Sequence, residues 1–167
     1  MAALDSLNIL LVDDNANMRI IVATMLRSLG FERVIEAESA ESAFRILAES
    51  PVDIAIVDFR MEGMDGVSFT HHVRHSENSP APYLPVIMMT GHSERSRVTE
   101  ARDSGVTEFL AKPVDVHSLI KRIEAVILRP RPFIRTKDFF GPDRRRQIMI
   151  DYVGPLRRST DIMTAEI

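Results

Sequence analysis

The chain is an α/β protein whose sequence predicts a doubly wound, five-stranded parallel sheet over residues 1–128. Three observations carry that prediction. Short apolar stretches recur along this region, segments with apolar residues at helical spacing separate them, and polar residues capable of chemistry stand where the stretches end. Short, wholly apolar strands alternating with amphipathic helices imply a parallel sheet covered on both faces. Right-handed crossovers then wind it both ways.

Asn8 to Val12, NILLV, reads as the first buried strand and ends at Asp13 and Asp14. Asn15 or Asn17 caps a helix in which Met18, Ile21, Val22, Met25, Leu26 and Leu29 share a face, and Gly30 closes it. Arg33 to Ala37 is a weaker strand. Ser39 caps a helix with Ala40, Ala43, Phe44 and Leu47 inward. Asp53 to Val57 is a buried strand that stops at Asp58, and a loop runs to Gly63 and Gly66. Val67 to Arg74 is a short helix with Phe69 and Val73 on one face. After a Ser/Pro-rich loop, Pro85 to Thr90 is another continuous apolar run. Ser93 to Ser104 is helical but thinly apolar, with Val98 and Ala101 inward and Gly105 at its end. Glu108 to Ala111 is the last strand, followed by Lys112 and Pro113. Asp115 caps a final helix with Val116, Leu119, Ile120, Ile123, Val126 and Ile127 inward.

Composition narrows the function. The chain has 167 residues, is 45% hydrophobic and 27% charged, and has no cysteine. That excludes disulfides and thiolate metal sites. No stretch reaches the roughly 18 apolar residues of a membrane span, and no basic start leads an apolar run. The expectation is a cytoplasmic protein. The net charge of −3 hides an asymmetry. Residues 1–128 hold 12 Lys/Arg against 19 Asp/Glu, and residues 129–167 hold 9 against 5, so balances of −7 and +4 lie side by side. The change in character places a boundary near Arg129.

In a parallel sheet of this kind all strand carboxyl ends share one rim, where ligands bind. Asp13, Asp14, Asp58, Thr90 and Lys112 therefore converge. Singly, each has a plainer reading: a helix-cap pair, a turn cap, a strand-end hydroxyl, a surface charge. Together they are a chemical set. Three carboxylates need a cation or protons, and oxygen ligands without Cys or neighbouring His favour a hard divalent ion such as Mg²⁺. Lys112 adds a fixed positive charge and Thr90 a hydroxyl. The set suits acceptance of a phosphoryl group by a carboxylate nucleophile.

These motifs (Asp13-Asp14 after NILLV, Asp58 within VDFRMEGMDG, Thr90-Gly91 after VIMM, Lys112-Pro113 after EFLA) resemble those of the receiver domain of bacterial two-component response regulators, over about residues 6–128. The resemblance implies a flavodoxin-like fold. It makes Asp58 the phospho-acceptor, supplied by a histidine kinase or a histidine phosphotransfer protein. It implies Mg²⁺ on the side chains of Asp14 and Asp58 and the backbone carbonyl of Arg60, with Asp13 holding the metal's waters. It gives Lys112 a contact to the phosphoryl group, and Thr90 and Phe109 the parts of switch residues. The output is then a protein–protein interaction surface, and the domain assists only its own phosphorylation and dephosphorylation rather than turning over a substrate. The family often has Pro four residues after the acceptor, where Glu62 stands here. Arg60 and His92, two residues after Asp58 and Thr90, are expected to tune the lifetime of the phosphoryl group. A haloacid-dehalogenase-type phosphatase is an alternative, but that family needs a second Asp where Arg60 stands. His71 and His75 have i, i+4 spacing that suits a metal, though a solvated helix face is the better reading.

The tail opens with RPRPF at Arg129, an extended linker because Pro130 and Pro132 cannot continue a helix. Phe139-Phe140-Gly141-Pro142-Asp143-Arg144-Arg145 then aligns with Tyr152-Val153-Gly154-Pro155-Leu156-Arg157-Arg158, thirteen residues on. The Gly-Pro steps mark turns, and the aromatics are expected to dock while the arginines stay wet. The readings are packing on its own acidic receiver or on that of a second copy, an arm for an output partner, and an Arg-rich segment for DNA. A balance of +4 is modest for nucleic acid, which disfavours the last.

Overall fold

A computed structural model describes residues 6–144 and 162–163. The first five strands are β1 (Asn8–Val12), β2 (Arg33–Ala37), β3 (Ile54–Asp58), β4 (Val86–Thr90) and β5 (Glu108–Ala111). They form one parallel sheet in the order β2-β1-β3-β4-β5. Around it lie α1 (Ala16–Ser28), α2 (Ala40–Glu49), α3 (Gly66–His75), α4 (Val98–Asp103) and α5 (Val116–Leu128).

Strand alternation sorts the core into two layers. Ile9, Leu11, Ile54, Ile56, Ile87 and Met89 pack with Val22, Ala23 and Leu26 of α1 and Leu119, Ile123 and Val126 of α5. Leu10, Val12, Ala55, Val57 and Val86 face Ala43 and Leu47 of α2 and Phe69 and Val73 of α3. A third group joins Phe59, Val67, Met88, Ala101 and Val106, with Phe109 against it. Each fully buried aliphatic side chain contributes about 1.5–3 kcal/mol, so both sheet faces are strongly held and the strand ends are fixed in space.

The caps form as the sequence predicts at Asn15, Ser39 and Asp115, and Asp65 caps α3. The differences have physical causes. β3 begins at Ile54, because the Asp53 carboxylate turns aside to accept a hydrogen bond from the Asn8 backbone N–H at 2.8 Å. The strand runs one residue further than the sequence predicts and includes Asp58 as its last residue, opposite Met89 of β4. The segment read as one helix from Ser93 is a 3₁₀ turn over His92–Arg97 before α4. Of the two inward residues expected there, Ala101 is buried and Val98 half-buried. Ile21 and Val116, read as inward, are exposed: the inward stripe narrows to Val22, Ala23 and Leu26 on α1 and to Leu119, Ile123 and Val126 on α5.

After α5 the chain builds β6 (Phe133–Arg135), β7 (Phe140–Pro142) and β8 (Ile162–Met163), in the antiparallel order β7-β6-β8. Gly141-Pro142 lies within β7 rather than in a turn. Gly141 is needed for close approach: a Cβ there would lie 2.9 Å from the Gly105 Cα and 2.9 Å from the Phe139 ring. Phe140 is buried against Tyr83 and Phe133. Arg144 lies over the Phe139 ring at 4.4 Å and pairs with Asp103 at 2.8 Å, and Arg131 and Arg122 both pair with Glu108. The described part of the tail thus packs on its own receiver, at the end of the sheet away from Asp58. The second copy of the motif, Tyr152–Arg158, lies outside the described residues.

Candidate phosphoryl and metal site

β1, β3, β4 and β5 all end on one rim, and the predicted residues meet there. Asp13, Asp14 and Asp58 each present a carboxylate oxygen within 4.8 Å of the others. Asp13 is pinned: its Oδ1 accepts from the Asn15 N–H at 2.8 Å, and its carbonyl accepts from Arg19 at 2.7 Å. Its Oδ2 is buried without a hydrogen-bond partner. Asp14 is exposed and accepts from the Glu62 backbone N–H at 2.7 Å, tying the loop after β3 to the end of β1. The Lys112 ammonium closes on Asp58 as an ion pair. The Lys112 N–H donates to the Thr90 carbonyl at 2.8 Å, so the ends of β4 and β5 are locked together.

Burial dominates the electrostatics. Asp58 is 4% exposed, and desolvation raises its pKa to about 6 despite the Lys112 ion pair that opposes it. Burial also pushes Asp13 up, against the hydrogen bond from the Asn15 N–H and the pull of Lys112. Two buried acids with raised pKa values and an orphan oxygen are an excess of negative charge awaiting a cation. All the donors at hand are oxygens, which fits a hard divalent ion such as Mg²⁺.

The remaining predicted residues surround this centre. Thr90 is half-buried at the end of β4, paired with Ala111 in register. Phe109 on β5 is half-buried against the Phe59 and Met88 cluster. Arg60, in the loop after Asp58, points its guanidinium to Glu94 at 2.8 Å, and His92 is exposed where the 3₁₀ turn begins. The sequence reading missed Glu94, which is only 5% exposed. No periodic signal marks it, because its burial depends on Arg60 and Gly91 rather than on a helix face. The histidines of α3 do not join the centre. His71 and His75 stack on each other at 4.2 Å on the exposed face of α3, beside an open groove of about 500 Å³.

Known proteins agree with this geometry. The family model described as the response regulator receiver domain matches residues 9–124. The chain belongs to that family. It is 34% identical to the chemotaxis protein CheY of Pseudomonas aeruginosa, over 74% of this chain and 98% of that one. It is 32% identical to chemotaxis protein CheY-3 of Vibrio cholerae, over 74% and 94%. Among solved structures, Vibrio cholerae CheY4 aligns with a TM-score of 0.66 at 27% identity, over 72% of this chain and 98% of that one. The receiver domain of the sensor histidine kinase PA1611 of Pseudomonas aeruginosa aligns at 0.63 and 30% identity, over 71% and 94%, and carries a magnesium ion in its active-site cleft. The receiver fold and its place in two-component signalling follow. No helix among the described residues is long and apolar enough to cross a membrane.

Proposed function

We propose that this response regulator accepts a phosphoryl group on Asp58 and that the phosphorylated state changes a protein-binding surface. The observation that carries the reading is the buried Asp58 carboxylate, ion-paired to Lys112 within an acidic triad. The donor is the phosphohistidine of a kinase or phosphotransfer protein. An Asp58 oxygen attacks phosphorus, the bond from phosphorus to the donor nitrogen breaks, and the imidazole leaves with that electron pair. Asp14, Asp58 and the Arg60 carbonyl would hold Mg²⁺, with Asp13 on its waters; the ion supplies charge neutralisation for the transferring oxygens. Lys112 orients the acceptor and takes up charge on the product. Thr90 donates its hydroxyl to the new phosphoryl group, and Phe109 responds on the neighbouring strand.

Residues 1–128 form the receiver in this reading, and residues 129–167 an extension whose described part, through Arg144, packs on it. The output is an interaction with another protein or with a second copy of the chain. Neither a turnover phosphatase nor DNA binding is needed to account for the site. The test is incubation with acetyl phosphate and Mg²⁺ followed by intact mass. One phosphoryl adduct on the parent, absent from Asp58→Asn, supports the reading. An unmodified parent, or an equal adduct on Asp58→Asn, refutes it.

A further inference from the structure

We infer that Glu94 is a positioning residue for Arg60, and that a phosphoryl group on Asp58 draws the Arg60 guanidinium away from it. The inference rests on the phospho-acceptor reading above and adds a competitor built into the same site.

Glu94 is buried in a run whose other members, His92, Ser93, Arg95, Ser96 and Arg97, are exposed. Its carboxylate accepts the Ser93 hydroxyl at 2.6 Å and is ion-paired with the Arg60 guanidinium, Nε lying 2.8 Å from Oε1. The same carboxylate fills the space beside Gly91, where a Cβ would fall 2.7 Å from Oε2. One side chain therefore touches both loops that flank Asp58: the loop after β3 through Arg60, and the loop after β4 through Gly91, next to Thr90. The two strands are neighbours, with Asp58 opposite Met89.

The pairing is lopsided. Arg60 covers Glu94, whose side chain is 7% exposed, whereas the Arg60 side chain is itself 70% exposed and is free to swing into solvent. Arg60 is two residues from Asp58. A phosphoryl group there adds up to two negative charges and three acceptor oxygens, a better match to the planar guanidinium fork than a single Nε contact. Transfer of Arg60 leaves the Glu94 carboxylate with the Ser93 hydroxyl and without its cation. That loss is subtracted from the phosphoryl group's gain, so Glu94 holds down the stability of the modified state. By linkage, weakening the Glu94 hold strengthens phosphoryl binding.

The experiment titrates the full chain with beryllofluoride in saturating Mg²⁺, read by calorimetry and by the Arg60 Nε–H resonance. Glu94→Gln, which keeps the shape, should bind about fivefold tighter than the parent, in line with the worth of one partly exposed ion pair. In an Arg60→Ala background the same substitution should change nothing. Arg60→Ala alone alters an exposed side chain, folds without difficulty and should weaken binding severalfold. The Arg60 resonance should shift on saturation in the parent. Equal affinity of Glu94→Gln and parent, an undiminished gain without Arg60, or an unmoved Arg60 resonance would each overturn the inference while leaving the acceptor assignment standing. A parent that binds no beryllofluoride would overturn the acceptor assignment itself.

Discussion

Two ionised side chains lie buried near opposite ends of the same sheet, Asp58 at the carboxyl rim and Arg74 in the last turn of α3, and they are handled in opposite ways. Arg74 is 2% exposed, and its hydrogen bonds among the described residues go to backbone carbonyls rather than to a carboxylate. Its guanidinium donates to the Gly105 carbonyl at 2.9 and 3.1 Å and to the Pro82 carbonyl at 2.9 Å, and it lies 4.9 Å from the centre of the Phe133 ring. Burial lowers its pKa to about 9, still charged at neutral pH. Its donors are spent on carbonyls that do not move. Asp58 sits among like charges, with Lys112 as its counter-ion and an orphan oxygen on Asp13 beside it. The first arrangement ties α3 to the loops before β4 and β5 and offers a cation to the Phe133 ring of the extension. The second stores unfavourable negative charge that a cation relieves. A buried ion marks function when its environment is left incomplete, and architecture when it is filled.

The contrast can be broken from either side. Arg74→Met keeps the stem but strands the Gly105 and Pro82 carbonyls, and should cost about 3 kcal/mol in urea unfolding. At the other rim the sign reverses. The Asp58 pKa is raised from 3.8 to about 6, so the ionised form opposes folding. That opposition is absent below 3.8, grows as pH rises through the window, and is complete above about 6. Stability should therefore fall across that window as pH rises, by up to about 3 kcal/mol. Asp58→Asn should then be about 2 kcal/mol more stable than the parent at pH 7 without Mg²⁺, and equal to it near pH 4. Addition of Mg²⁺ should narrow the difference at pH 7 by stabilising the parent.

Smaller effects sharpen the account of the extension. Gly141→Ala forces a methyl group against the Gly105 backbone and the Phe139 ring, and should cost about 1–2 kcal/mol in thermal unfolding. Asp103→Asn removes the Arg144 ion pair at a half-exposed position and should cost under about 1 kcal/mol, less in high salt.

What the sequence disclosed tracks the range of the forces involved. The strands and helices are local and periodic, and the rim residues follow from strand ends plus topology, so Asp13, Asp14, Asp58, Thr90 and Lys112 could be brought together by pattern alone. Glu94 and Arg74 could not. Both are charged residues in segments that read as helices with apolar inward faces, and each is buried by partners that helical periodicity does not mark: Arg60 and Gly91 for one, Pro82, Gly105 and Phe133 for the other. Gly141-Pro142 misleads for the same reason. The dipeptide is common in turns, but here the missing Cβ serves a backbone approach to Gly105.

Amide NMR during a Mg²⁺ titration at neutral pH tests the contrast between the two ends most directly. Saturable shifts at Asp13, Asp14, Asp58 and Lys112, with Arg74, Gly105 and Phe140 unmoved, are the predicted result. Resonances of the three acids that do not respond, or that respond no more than those around Arg74, would contradict it.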